Sequence, residues 1–241
     1  MSSKLLSDFT HVKNFTEYME VVESLIRENF NKKLKILDIP AGNGLLSDVL
    51  RKLGHEVISA DFNEERLDFD YVNMEQKLPY KSSAFDLIVC LEGIEHVVEP
   101  YALIKEFSRI TKSDGAVIIS MPNVQSMYSR LKFLFTGTFY QFEPEGSKHT
   151  NGKPIDRGHI SSLSLVQLSY LFGEVGFSLL YVSGDKIKKK VLFPIYLIIM
   201  LANKLNGVVK RRTGPVVYGY LNNSKCMLSR SLVTVWSKNH A

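Results

Sequence analysis

From Leu34 onward, short apolar runs alternate with stretches whose apolar residues return every three or four positions. Leu34–Ile39 is a near-continuous apolar run and predicts a buried strand. Leu45–Leu53 has helical spacing and stops at Gly54, and Glu56–Ala60 predicts a second strand. Tyr71–Met74 fits a short third strand, Phe85–Leu91 a fourth and Ala116–Met121 a fifth. A helix over Pro100–Thr111 carries its proline in the first turn, where the missing N–H costs nothing. Upstream, Phe15, Tyr18, Met19, Val22, Leu25 and Ile26 mark one face of a helix within 14–30. Downstream come a helix over Leu163–Val175, closed by Gly176, and strands over Phe177–Val182 and Ser231–Ser237. Strand and helix in alternation predict an α/β fold. It is Rossmann-like, a seven-stranded and mostly parallel sheet with helices on both faces.

Two stretches break the rhythm. Residues 123–160 are rich in aromatics, Gly and Pro, and read as a lid-like insertion on the acceptor side. Residues 186–223 are basic and apolar, and read as a helical insertion. The expected organisation is an N-terminal helical cap over 1–33, a main domain over 34–185 and 224–241, and the insertion between its last two strands.

Charge sharpens the contrast between these parts. The chain of 241 residues carries a net charge of +5, but residues 1–185 sum to −6 and residues 186–241 to +11. The second segment contains 11 Lys and Arg and no acid. Its run Val191–Ala202 is 12 apolar residues flanked by Lys188-Lys189-Lys190 and Lys210-Arg211-Arg212. That is too short to span a bilayer, which takes about 20 apolar residues. It suits a helix lying on an anionic membrane surface, or a core or homodimer contact. Met1–His11 lacks the apolar run of a secretory leader, and Cys90 and Cys226 fit no metal-ligand spacing. The expectation is a cytoplasmic protein with reduced thiols, peripheral on the inner membrane face if the insertion docks there.

Lys35–Gly44 reads K-I-L-D-I-P-A-G-N-G: a strand ending at Asp38, then a turn carrying Gly42 and Gly44, then a helix. Glycines there let a ligand approach the backbone, and the helix start offers unpaired N–H groups. Asp61, 17 residues after Gly44 at the end of the second strand, can accept both hydroxyls of a ribose. Ser47 stands where a dinucleotide fingerprint needs its third glycine, and no Lys follows to make a P-loop. The loop therefore fits a nucleoside-type cofactor, or a purely structural turn. After the fourth strand, Glu92, Glu95 and His96 stand at spacings that share one face of a helical turn. Such a set can serve a general base, part of a metal site, or a solvated helix start.

Taken together, L-D-x-x-x-G-x-G, the acid after strand two, Leu78-Pro79-Tyr80 before strand four, and F-D-L-I-V-C-L-E-G-I-E-H resemble the class I S-adenosylmethionine-dependent methyltransferases. The likeness is strongest to the branch of ubiquinone-type and of sugar and polysaccharide O-methyltransferases. It implies that Asp38, Ala41, Gly42 and Gly44 line the methionine end of S-adenosylmethionine, with Asn43 and Leu91 also binding the cofactor. Asp61 would hold the ribose, while Phe62, Asn73 and Met74 would meet the adenine. Many members have Gly where this chain has Pro40, so this turn forgoes one N–H.

The same branch includes small-RNA 2′-O-methyltransferases, in which E-x-x-E-H and a later His bind a divalent metal. Here that resemblance implies Glu92, Glu95, His96 and His159; the competing reading makes His96 or His159 a base without metal. His149 in the insertion reads as a surface residue. The first expectation is O-methylation of a sugar in a surface polysaccharide or glycolipid. A quinone precursor or other small hydroxylated metabolite is the alternative. RNA 2′-O-methylation and a non-catalytic, partner-binding role are further ones, though no nucleic-acid module is visible.

Overall fold

A computed structural model describes residues 12, 14–62, 66–142, 158–187, 190–205, 218–220 and 222–239, with the backbone of 148–150 and 153–156. The side chain of His149, and Lys188, Lys189 and 206–217 of the basic segment, lie outside the described residues.

The sheet is built from β1 (Lys35–Asp38), β2 (Glu56–Asp61), β3 (Asp70–Tyr71), β4 (Phe85–Leu91), β5 (Thr111–Pro122), β8 (Phe177–Gly184) and β9 (Ser231–Lys238), in the order β3-β2-β1-β4-β5-β9-β8. β1 runs parallel to β2 and β4, and β4 parallel to β5. β9 is antiparallel to both of its neighbours. The chain thus reverses its winding beside β1, where β2 lies on one side and β4 on the other. In open α/β sheets the ligand crevice forms at that switch, outside the carboxyl ends of the strands.

The central strands read as unbroken apolar runs because both faces are covered. Alternate residues divide between two cores. Leu87, Val89 and Leu91 face one with α1 (Glu17–Asn29) and α2 (Leu45–Lys52). Ile88 and Cys90 face the other with α3 (Pro100–Ile110) and α5 (Leu165–Glu174). α1 buries Tyr18, Met19, Val22, Leu25 and Ile26, five of the residues that set its spacing. α5 opens with a capping box: Ser164 Oγ accepts from the Gln167 N–H at 3.2 Å and the Gln167 side chain accepts from the Ser164 N–H at 2.8 Å. Its Phe172 stacks on Trp236 of β9 at a centroid distance of 4.5 Å. Cys90 and Cys226 are both free and buried.

The insertion after β5 is more ordered than its sequence predicts. It contains α4 (Met127–Thr136), capped by Ser126 and stopped by Gly137 at φ 69°, and a hairpin of β6 (Lys148–Thr150) and β7 (Lys153–Asp156). The basic segment contributes α6 (Phe193–Leu205), followed by the short α7 (Ser224–Leu228). Among the described residues no helix is long and apolar enough to cross a membrane.

Candidate active site

The carboxyl ends of β2, β1 and β4 bring Asp61, Asp38 and Leu91 to one edge of the sheet. The loop after β1 is pinned from both sides. The N–H groups of Ile39 and Ala41 donate to Val89 O and Ala60 O, each at 2.9 Å. The Gly42 N–H donates to Asp61 Oδ2 at 2.7 Å. The donor that Pro40 lacks is therefore not needed, because its neighbours supply the loop's anchors. Gly42 at φ 58° and Gly44 at φ 81° are left-handed, a backbone that glycine adopts without strain. Gly44 caps the start of α2, and the Asn43 amide donates to the Val12 carbonyl. Above Gly44 lie Arg66 and Phe69, whose tips would each stand 2.6 Å from a Cβ placed there. Arg66 is held by Asp48 and Asp68, both at 2.9 Å.

Asp38 is buried behind the loop. A relay of hydroxyls reaches it: Arg51 Nη2 donates to Ser59 Oγ, Ser59 Oγ to Ser47 Oγ, and Ser47 Oγ to Asp38 Oδ2, each at 2.6 Å. Burial pushes the Asp38 carboxyl up to about 7, against the opposing pull of the Ser47 hydrogen bond. Sequence reasoning noted Ser47 only as a missing glycine and passed over Ser59 and Arg51. A hydroxyl at 59 inside a strand run, facing one at 47, was the available signal.

On the nucleoside side, Phe62 is partly exposed and its ring lies 5.3 Å from that of Tyr71, so the two offer an aromatic wall beside Asp61. Asn73 closes a turn in which its Oδ1 accepts from the Glu75 N–H at 2.9 Å, and half-buried Met74 packs on the core. Asp61 ends β2 and Phe62 follows it, while Asn73 and Met74 come just after β3.

The four expected catalytic residues do not form one set. Glu92 has φ 46°, and the 3-10 turn Ile94–His96 starts only after Gly93, so Glu92, Glu95 and His96 do not share a helical face. Glu92 turns instead to β5, where Ser120 Oγ donates to its Oε1 at 2.7 Å. Glu95, His96 and His159 do converge, with one ligand atom from each lying within 4.8 Å of the others. The two imidazoles meet edge to face at 4.8 Å, and Phe142 stands 5.4 Å from His159. His159 arrives because the N–H groups of Ile160 and Ser161 both donate to the Glu95 carbonyl at 2.9 Å. The Glu95 side chain is 1% exposed, and among the described residues no other residue donates a hydrogen bond to its oxygens. Burial, then the nearby charge of Glu92, holds its carboxyl well above the usual carboxylate range. A buried carboxylate to which no other described residue donates, beside two imidazoles, is a donor set that a divalent cation satisfies.

The sheet order and the loop after β1 are those of the class I S-adenosylmethionine-dependent methyltransferases. Residues 10–182 match the family model described as a methyltransferase domain, and the chain belongs to that family. Among curated relatives it is 26% identical over 140 residues to a ubiquinone biosynthesis O-methyltransferase of Colwellia psychrerythraea, a match covering 52% of this chain and 57% of the relative. The enzyme of that name from Pseudomonas aeruginosa is 31% identical over 103 residues, 37% of this chain and 44% of the relative. The chain thus spans about half the length of the curated relatives it matches. Among solved structures, a SAM-dependent methyltransferase from Archaeoglobus fulgidus superposes with a TM-score of 0.56 at 17% identity, covering 91% of this chain and 94% of that one.

Proposed function

We propose that this protein transfers a methyl group from S-adenosylmethionine to a hydroxyl of a small metabolite, of the kind represented by a quinone precursor. The names of the relatives favour that acceptor over a polysaccharide sugar, which has only the aromatic residues of the insertion behind it. The observation that carries the reading is the convergence of Glu95, His96 and His159 at the end of β4, beside the strand that presents the glycine loop.

Bound S-adenosylmethionine supplies a methyl group on a sulfonium, which leaves as a neutral thioether. The protein's tasks are to orient the acceptor and to take its proton. The loop 39–44 and Asp38 receive the methionine end, with Asn43 and Leu91 beside it. Asp61 takes the ribose hydroxyls, and Phe62, Asn73 and Met74 border the adenine. As the acceptor oxygen forms its bond to the methyl carbon and the sulfur–carbon bond breaks, His96 or His159 accepts the hydroxyl proton. Glu95, His96 and His159 also suit a divalent cation, which would lower the hydroxyl's pKa. In either case Glu92 is a positioning residue, braced on Ser120.

Calorimetric titration with S-adenosylmethionine and S-adenosylhomocysteine tests the cofactor half of this reading. Metal-stripped protein is used first, then protein with Mg²⁺, Mn²⁺ or Zn²⁺. Micromolar cofactor binding is expected, and its absence would overturn the enzyme reading. Methyl transfer to a catechol in preference to simple sugars is expected, and the reverse preference would return the acceptor to the glycans. A separate metal isotherm assigns the cluster to a cation, and full activity in chelator assigns it to a base.

A further inference from the structure

α6 is apolar on both of its sides. One side packs on the protein: Tyr196 is buried, its hydroxyl donates to the Asn222 carbonyl at 2.7 Å, and Ile199 and Met200 rest on the core. The opposite side also carries large aliphatic groups, with Ile198 68%, Leu201 57% and Leu205 80% exposed. A helix of a water-soluble domain normally turns polar residues outward. Next to α6, α4 likewise exposes Leu134 and Phe135. Between α4 and the 3-10 turn Lys190–Leu192 that leads into α6 lies an open groove of about 420 Å³ lined by Tyr128, Leu131, Lys132, Phe135, Val191 and Leu192. Phe135 of α4 and the largely exposed Val191 line it together, so the exposed apolar groups of α4 run on to the start of α6.

The described cations in the segments that carry this face are Lys190 and Lys204, with Arg130 and Lys132 on α4, and the sequence over 186–241 contains 11 Lys and Arg and no acid. A protein partner of mixed charge does not require such bias, and a second copy of the chain would set cation against cation. An anionic bilayer satisfies both features, since the headgroups pair with the cations while the aliphatic groups enter the acyl boundary. The length agrees, because a helix of 13 residues measures about 20 Å. It lies along a surface and does not span it.

We infer that the exposed face of α6 and α4 docks the protein on anionic lipid, with α6 lying in the plane of the interface. The inference does not rest on the proposed reaction. The two are nevertheless joined in space. Tyr128, which lines the groove, meets Tyr140 at 5.1 Å, and Phe142, two residues further on, meets His159 at 5.4 Å. The groove's Tyr128 and the cluster's His159 thus each pack against an aromatic of the same short stretch, 140–142.

The test is vesicle flotation of the full chain, with phosphatidylcholine alone and with phosphatidylcholine containing phosphatidylglycerol, at low and high salt. Partition to the anionic vesicles is expected, falling at high salt and near background on the neutral ones. Ile198→Glu with Leu201→Glu should lower that partition by about tenfold or more, since two aliphatic side chains no longer enter the boundary. Both positions are exposed, so the variant's thermal midpoint should match the parent's, which separates lost docking from misfolding. No binding to anionic vesicles overturns the inference. So does binding that the double variant leaves intact, or a stable dimer in solution that the same variant dissociates.

Discussion

A Cβ on Gly93 would lie 2.8 Å from Cγ of Pro40, closer still to its Cδ, and 3.2 Å from Cys90 Sγ. The proline ring occupies the volume that any side chain at 93 would need. The loop after β1 and the turn after β4 are therefore fitted to each other. Gly93→Ala should cost about 1–3 kcal/mol, as overpacking does in a filled core. Urea unfolding would measure it, and Pro40→Ala in the same background should recover part of the loss. An unshifted midpoint in Gly93→Ala would mean that the turn yields freely.

Gly42 holds a left-handed backbone while its N–H donates to Asp61. Gly42→Val places a β-branched residue there, a strain of about 1–3 kcal/mol. It should also displace the loop from Asp61. S-adenosylhomocysteine affinity is expected to fall at least about tenfold. Unchanged affinity by calorimetry would move the cofactor site elsewhere.

Asp38 gives stability a particular pH slope. Its carboxyl titrates near 7 in the folded protein against 3.8 ordinarily. Between those values the folded state keeps a proton that the unfolded chain has released, so this group's contribution to stability falls as pH rises. The loss is complete above 7 and absent below 3.8. Asp38→Asn should therefore flatten the decline in melting temperature between pH 5 and 8. Glu92 and Glu95 are also raised by burial, so it is the difference between the two proteins that isolates Asp38. Parallel curves would mean that Asp38 is ionised throughout. Ser47→Ala removes a hydrogen bond that favours the carboxylate and should steepen the slope.

His96→Ala and His159→Ala address proton removal. The residue acting as base should lose about 10²-fold or more in turnover, with cofactor affinity nearly unchanged. If the cluster holds a cation, both variants and Glu95→Gln should lose the metal isotherm together. Glu92→Gln, which lies outside the cluster, should retain it. Equal turnover in both histidine variants would place the base elsewhere.

The parallel part of the fold was legible because β1 and β4 are covered on both faces and leave apolar runs, with the shorter β2 between helix and turn signals. α1 and α5 were legible because each buries one stripe. α4 was not: Met127–Thr136 carries apolar residues around its circumference and buries only Met127 and Ser129, so no period stands out. The glycine loop could be read from spacing, since it is local. The grouping of Glu95 and His96 with His159 depends on a contact between distant parts of the chain, and only the family likeness anticipated it. That likeness also brought in Glu92, which the left-handed turn at 92 sends to Ser120 instead.

The place of β9 bears on how the chain is assembled. β8 lies at the sheet's edge and joins it through β9, which comes later in the chain. As the polypeptide emerges, α6 is made while β8 still lacks its neighbour, and the sheet closes only when Ser231–Lys238 arrives. Losing those eight residues would therefore remove two strands from the sheet rather than one. The order of synthesis also makes α6 available to a surface before the domain beneath it is finished.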